Sequence, residues 1–291
     1  MVSESSGGGM GGKVVLITGG TSGIGKAAAT ALAAMGAEVV VTGRSRERGE
    51  TAVEEIRRGS GNEGVSLLLA DLSVQAEVRR LAEGFGRSHD RLDVLVNNAG
   101  VILSRRTETP DGIETTLAIN HLAPFLLTKL LLEVLKASAP SRIVTVSSEA
   151  RRGAKIDFGD LQSERRYRGF GVYGMTKLAN ILFTYELAER LRGTGVTANC
   201  VHPGPVNTNF GMNNRGLMVL LFRAFKPFMR TPEKGADTLI YLASSPEVEG
   251  TSGRYFSDRK VISTFEEPHD VHTQKRLWEE SEGLTNLKVT S

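Results

Sequence analysis

Cysteine is nearly missing from this 291-residue chain, where Cys200 stands alone. A lone thiol rules out an intramolecular disulfide and a cysteine-built metal cluster. Its position in the apolar run 196–201 reads as a buried small hydrophobe rather than a nucleophile. The five histidines show no metal-ligand spacing, so no metal is expected. No uninterrupted apolar run approaches the roughly eighteen residues that a bilayer-spanning helix requires. Neither sign of charge dominates: 36 basic and 33 acidic residues leave a net +3. The densest charged groups, 44–48 and 164–168, are short and mixed in sign, which argues against a basic stripe for nucleic acid. Residues 1–12 are mostly Gly, Ser and Met and have no apolar stretch of the secretory-leader kind. They are expected to form a disordered lead-in, and the cytoplasm is the expected location.

What the chain does contain is a regular alternation. Apolar residues make up 40% and charged residues 24%, an ordinary balance for a chain that buries a full core. Short β-branched runs at 13–18, 38–42, 65–70, 92–96, 142–146, 196–201 and 253–256 read as strands. Helical patterns lie between them at 23–35, 46–58, 74–87, 112–122, 125–136, 173–192 and 232–243, with a break expected near Pro124. Strand–helix alternation of this kind predicts an α/β fold: a doubly wound, mostly parallel sheet of about seven strands with helices on both faces. Right-handed crossovers place its ligand crevice at the carboxyl ends of the strands. No linker interrupts residues 13–260, which are expected to be one Rossmann-type domain followed by an extension at 261–291.

Two features suggest chemistry. The first is a glycine-rich turn after the first strand, Thr18-Gly19-Gly20-Thr21-Ser22-Gly23-Ile24-Gly25. Glycines there permit positive φ, close approach of a pyrophosphate and tight helix–strand packing. Residues 20–26 also satisfy the opening of a nucleoside-triphosphate loop, but Ala27 stands where that loop needs a hydroxyl for magnesium. A purely structural glycine turn is a further reading. The second feature is Tyr173 and Lys177, whose spacing stacks a phenol and an ammonium about one helical turn apart. A nearby cation favours the phenolate, so the pair is expected to provide an acid/base group usable near neutral pH. The second strand ends without a carboxylate before Glu47 and offers Arg44 and Arg46, which favours NADP(H) over NAD(H).

Further residues complete a pattern in sequence order: Asn97-Asn98-Ala99-Gly100, Asn120, Ser147-Ser148, Tyr173 with Lys177, and Pro203-Gly204 with Thr208. Together with the glycine turn, this order resembles the short-chain dehydrogenase/reductase family over residues 13–256. The stretches 160–164 and 177–180 resemble its retinol-dehydrogenase-like members and their WW-domain-containing oxidoreductase relatives. No WW domain or membrane anchor is seen ahead of the first strand, which weakens transfer of a membrane-bound retinoid role. The resemblance implies that Tyr173 is the general acid/base and that Lys177 lowers its pKa and meets the nicotinamide ribose. It further implies that Ser148, rather than Ser147, holds the substrate oxygen, and that Asn120 binds a water linking Lys177 to solvent. The implied cofactor contacts are Gly19, Thr21, Ser22, Gly23, Ile24, Gly25, Arg44, Asp71, Leu72, Asn98, Ala99, Gly100, Tyr173, Lys177, Pro203, Gly204, Val206 and Thr208. Asp71 would accept from the adenine amino group, and Asn98 would border the adenosine ribose.

The segment 209–230 is rich in Met and Phe, and the resemblance makes it a substrate lid for a lipophilic alcohol or carbonyl compound. Its basic residues Arg215, Arg223 and Arg230 permit shallow contact with a membrane surface. A helix simply packed on the core or on another subunit is the competing reading. The long helix 173–192 and its predecessor are expected to support a homo-oligomer, as in many relatives. In the extension, Trp278 stands alone among polar residues, and the segment either docks through it or stays loose. Two readings of function emerge: an NADP(H)-dependent alcohol dehydrogenase or carbonyl reductase, and a catalytically silent dinucleotide-binding regulator of the same fold.

Overall fold

The computed structural model describes residues 9–206, 229–263 and 270–287. Its strands are β1 Val14–Ile17, β2 Glu38–Gly43, β3 Val65–Leu69, β4 Val94–Asn97, β5 Ser141–Val146, β6 Val196–His202, β7 Arg254–Ser257 and β8 Lys260–Val261. They form one sheet in the order β3-β2-β1-β4-β5-β6-β7-β8. All neighbouring strands run parallel except β7 and β8. The helices are α1 Gly23–Ala34, α2 Arg46–Ser60, α3 Gln75–Ser88, α4 Thr115–Leu117, α5 Ala123–Leu130, α6 Leu132–Ala137, α7 Gly169–Arg190, α8 Pro232–Ser244 and α9 Val271–Leu284.

Continuous apolar strands such as β1 and β4 are buried along their whole length because both faces of the sheet are covered. Ala28, Leu32, Ile56 and Leu239 from α1, α2 and α8 fill one face. Phe85, Phe125, Phe183 and Leu187 from α3, α5 and α7 fill the other. The chain winds from β1 outward through β2 to β3, then returns to place β4 on the other side of β1. That reversal separates the loops following β1 and β4 and opens a crevice at the strand ends.

The sequence expectation of about seven strands is short by one. The extra strand, β8, returns on β7 through Asp258 and Arg259, which have φ of 50° and 60°. Two successive positive φ values make a tight hairpin turn, and Asp-Arg lacks the Asn-Gly or Asp-Gly composition that advertises one. The expected break at Pro124 is also corrected. Pro124 has no N–H for the Asn120 carbonyl, and the ladder widens just before it instead of ending. Residues Ala118–Leu122 form a π-helical turn in which the Ala123 N–H reaches back to the Ala118 carbonyl. A run of helical backbone thus continues from α4 through this turn into α5.

Both ends of the described chain pack against the domain, and at the C-terminal end the docked alternative is the one seen. Met10, assigned to the lead-in, is 5% exposed, and its N–H donates to the Met35 carbonyl at 2.9 Å. At the other end, α9 lies along α7. Trp278 is 3% exposed and packs edge-on against Phe125, with ring centroids 5.0 Å apart. The Arg190 guanidinium lies 4.3 Å and the Lys129 ammonium 5.1 Å from the Trp278 ring centroid. The expected lid falls almost wholly in 207–228, outside the described residues.

Candidate active site

A cleft of about 510 Å³ opens at the carboxyl ends of the strands. The turn after β1 forms one wall. Gly19 and Gly23 have φ of 64° and 53°, a region that side chains with a Cβ seldom occupy. A Cβ at Gly25 would lie 2.4 Å from the Gly19 carbonyl oxygen, so glycine is the residue that lets α1 sit against the turn. Asn98 ties this turn to the end of β4, its amide donating to the Thr18 and Gly19 carbonyls at 2.9 and 3.2 Å. Ser22, the N-cap of α1, makes no side-chain cap, and the first turn of α1 carries no acidic residue. The uncapped N–H groups at that helix end suit an anion, and the tight glycine wall lets a pyrophosphate approach them. The residues present therefore fit a dinucleotide.

The far end of the cleft brings Ser148, Tyr173 and Lys177 together. β5 delivers the two serines, and they face different ways. Ser147 is 1% exposed and donates to the Lys177 carbonyl at 2.7 Å, so its hydroxyl is committed to the core. Ser148 instead hydrogen-bonds the Tyr173 phenol, and its oxygen accepts from the Ala150 N–H at 3.2 Å. α7 begins at Gly169, a turn earlier than the sequence suggests, so Tyr173 and Lys177 both lie within formed helix. A Cβ at Gly174 would meet the Ala150 carbonyl oxygen at 2.4 Å, which explains the close seating of α7 beside the Ser148 loop.

The electrostatics differ from expectation. Burial pushes the Tyr173 phenol up to about 12, opposed in part by the Ser148 hydrogen bond. Burial likewise pushes Lys177 down to about 8. The lysine ammonium donates to the Val146 carbonyl at 3.0 Å and lies 5.6 Å from the centre of the Tyr173 ring. Burial is thus the larger influence on the phenol, and the Ser148 hydrogen bond is what opposes it. The expected depression of the tyrosine pKa is corrected to an elevation.

Asn120 stands behind the cleft, fully buried. Its side-chain oxygen accepts from the Val101 N–H at 2.7 Å, and its amide donates to the Val101 carbonyl at 2.9 Å and the Thr176 hydroxyl at 3.1 Å. The side chain therefore clamps the loop after β4. Its backbone carbonyl is the group that Pro124 leaves without a helical donor.

The other implied contacts, Gly19, Thr21, Ser22, Gly23, Ile24, Gly25, Arg44, Asp71, Leu72, Asn98, Ala99, Gly100, Pro203, Gly204 and Val206, line this same cleft. Thr208 lies outside the described residues. Asp71 accepts from the Ser73 N–H and hydroxyl at 2.9 and 2.8 Å and is the sole carboxylate among the described lining residues. Sequence reasoning missed Arg48, which lines the cleft beside Arg44, whereas Arg46 pairs with Glu50 at 3.3 Å. Arg48 lies two residues beyond Arg46 on the same helix and so presents a different face, but the spacing does not say which face meets the cleft. The triphosphate-loop reading fails here, since Lys26 pairs with Glu55 on α2 and does not line the cleft.

A doubly wound sheet with a glycine turn, a tyrosine, a lysine and a serine at its strand ends defines a class of dinucleotide-dependent oxidoreductases. The short chain dehydrogenase family model matches residues 13–216, and the chain belongs to that family, whose members bind nicotinamide dinucleotides. Within it the chain is retinol-dehydrogenase-like. It is 47% identical to human retinol dehydrogenase 12, over 95% of this chain and 87% of that one. Human retinol dehydrogenase 14 is 45% identical, over 96% and 88%. Among solved structures, an uncharacterized protein from Mycobacterium paratuberculosis superposes with a TM-score of 0.79 at 31% identity, covering 97% of this chain and 96% of its own. A short chain dehydrogenase from Burkholderia cenocepacia in complex with NADP gives 0.67 at 28% identity, over 85% and 96%.

Proposed function

We propose that this protein is an NADP(H)-dependent oxidoreductase that interconverts a lipophilic alcohol and its aldehyde or ketone, with Tyr173 as the general acid/base. The observation that carries the reading is the meeting of the Tyr173 phenol and the Ser148 hydroxyl at one end of a cleft whose other end holds Arg44 and Arg48. When bound, the nicotinamide supplies or accepts the hydride, a transfer that no side chain can perform. The chain's own residues manage the oxygen and the proton. Ser148 and Tyr173 offer two preplaced hydroxyls to a carbonyl oxygen that gains charge as it is reduced. A phenol pushed up to about 12 is fully protonated at neutral pH and is therefore loaded as the acid for reduction. In the oxidative direction the same phenol must first give up that proton, so alcohol oxidation rises toward alkaline pH. Lys177, at about 8, remains a cation below that pH and loses its charge above it.

The two arginines favour a 2′-phosphate, since no Glu or Asp at the end of β2 is among the described lining residues. Ile102, Leu103 and Ile119 make the substrate end apolar, in keeping with relatives whose names specify retinol. The silent-regulator alternative is disfavoured because Ser148, Tyr173 and Lys177 are all present and gathered in one cleft. A cytoplasmic location is retained as part of the proposal and is checked by membrane fractionation.

Tyr173→Phe tests the reading against a panel of long aldehydes, ketones and retinoid-like carbonyls, followed by NADPH absorbance. Loss of a positioned general acid should lower kcat by about 10²–10⁴-fold while NADPH affinity stays within about twofold. Full activity in the variant removes Tyr173 from its role. Tight NADPH binding by the wild-type protein without turnover on any substrate would instead support the regulator.

A further inference from the structure

Lys177 is held by a chain of buried polar groups that starts on the C-terminal helix. Its ammonium donates to the Val146 carbonyl at 3.0 Å, and the same carbonyl accepts from the Asn180 amide at 3.3 Å. Asn180 Oδ1 lies 3.3 Å from His121 Nδ1, and His121 Nε2 lies 2.9 Å from the Ser281 hydroxyl. Ser281, His121 and Asn180 are each 1% exposed and Lys177 is 3% exposed.

The protons in this chain can be assigned from one end. A backbone carbonyl can only accept, so the Asn180 amide turns its NH₂ to Val146 and its oxygen to His121. That oxygen requires a proton on His121 Nδ1. Burial pushes His121 down to about 4, so the ring is neutral and Nε2 is an acceptor. The single Ser281 hydroxyl proton is then shared between two acceptors, His121 Nε2 at 2.9 Å and the Leu277 carbonyl at 2.7 Å. The ring is fixed laterally by Phe125 and Phe183, with centroids 6.4 and 6.2 Å away.

We propose that Ser281 and His121 are positioning residues for Lys177, so that α9 acts as a built-in brace for the reaction centre. The inference rests on the reading of Lys177 as part of the catalytic machinery. The logic is geometric. Without the Ser281 hydroxyl, His121 Nε2 has no donor in a dry site and the ring no longer fixes the Asn180 amide. The Val146 carbonyl then loses one of its two side-chain donors and is free to turn away from Lys177. Among the described residues, the titratable groups near this chain are Tyr173 on α7, Cys200 on β6 facing Lys177, and the Lys129–Glu282 pair at 3.0 Å on the rim.

The test compares the full-length wild type with Ser281→Ala, Ser281→Thr and Trp278→Phe, measuring kcat against pH, NADPH affinity and the thermal midpoint. Ser281→Ala is expected to lower kcat about three- to tenfold. It should also move the pH limb set by Lys177 about half a unit toward acid, a threefold change in proton affinity. Ser281→Thr keeps the hydroxyl and should restore both. Trp278→Phe keeps an aromatic ring on Phe125 and Phe183 and leaves the Ser281 hydroxyl in place, so it should lower the midpoint without moving the pH profile. A Ser281→Ala variant that is merely less thermostable, with an unmoved pH profile, overturns the brace, as does a Thr variant that fails to rescue. Lys177→Met separates the two levels: wild-type activity in that variant removes the lysine's role and the brace with it. Its inactivity alongside an unmoved Ser281→Ala profile sinks the brace alone.

Discussion

Replacing Gly25 with alanine adds one methyl group where the structure leaves no room. Its Cβ would stand 2.4 Å from the Gly19 carbonyl oxygen and 2.5 Å from the Asn98 amide nitrogen. Neither neighbour can retreat cheaply: the first is backbone, and the second is held by the Thr18 and Gly19 carbonyls. Relief requires α1 to move away from the turn, and forced overpacking of this kind costs about 1–3 kcal/mol. The same movement spoils the anion-binding N-terminus of α1. If 2–3 kcal/mol of that strain falls on the bound state, NADPH affinity drops roughly 30- to 150-fold. Gly86 is an internal control, since it lies in α3 and a Cβ there meets nothing within 4 Å. Gly86→Ala should raise stability by about 0.5–1 kcal/mol and leave binding untouched. Fluorescence titration with NADPH and urea denaturation read both variants. A Gly25→Ala protein that binds NADPH within about threefold of wild type would refute the steric account of the turn.

Arg44→Ala and Arg48→Ala should each weaken NADPH more than NADH, by about tenfold for a lost charge-assisted contact, and equal losses for the two cofactors would dismiss the 2′-phosphate assignment. Asp93 supplies a pH-dependent test of stability. Burial opposes its ionisation, but hydrogen bonds from Arg91, the Val14 N–H and Lys13 prevail and hold its carboxyl below the usual range. A depressed folded-state pKa means that this stabilisation is complete above pH ~4 and fades as pH falls through the lower value. Asp93→Asn should therefore cost about 2 kcal/mol at pH 7 and flatten the acid limb of the stability curve. An acid limb identical to wild type would count against this role of Asp93.

Much of the cleft was legible because this fold writes its chemistry at strand ends, where short hydrophobic runs stop and polar residues begin. Thr18, Asn98, Ser148 and Pro203 each sit at such a stop. Electrostatic sign was not legible. Four-residue spacing places Tyr173 near Lys177 but does not reveal that both are buried or that the Val146 carbonyl takes the ammonium. Arg48 was hidden among exposed charges, since the choice between Arg46 and Arg48 depends on how α2 is turned about its axis. The docking of α9 was one of two open readings for a different reason. Its buried residues Gln274, Leu277, Trp278 and Ser281 do follow helical spacing, yet two of the four are polar and weaken the apolar pattern. Pro124 pointed the wrong way, because the π-helical turn at Asn120 absorbs the missing donor that would normally end a helix.

Helix α9 covers the outer side of α5 and α7, with Trp278 seated between Phe125 and Phe183. That surface is already occupied by the chain itself. A support supplied by a second subunit is lost on dilution, whereas one joined through the backbone stays at a fixed local concentration. The aromatic seat of Trp278 therefore keeps its cover however scarce the molecule becomes.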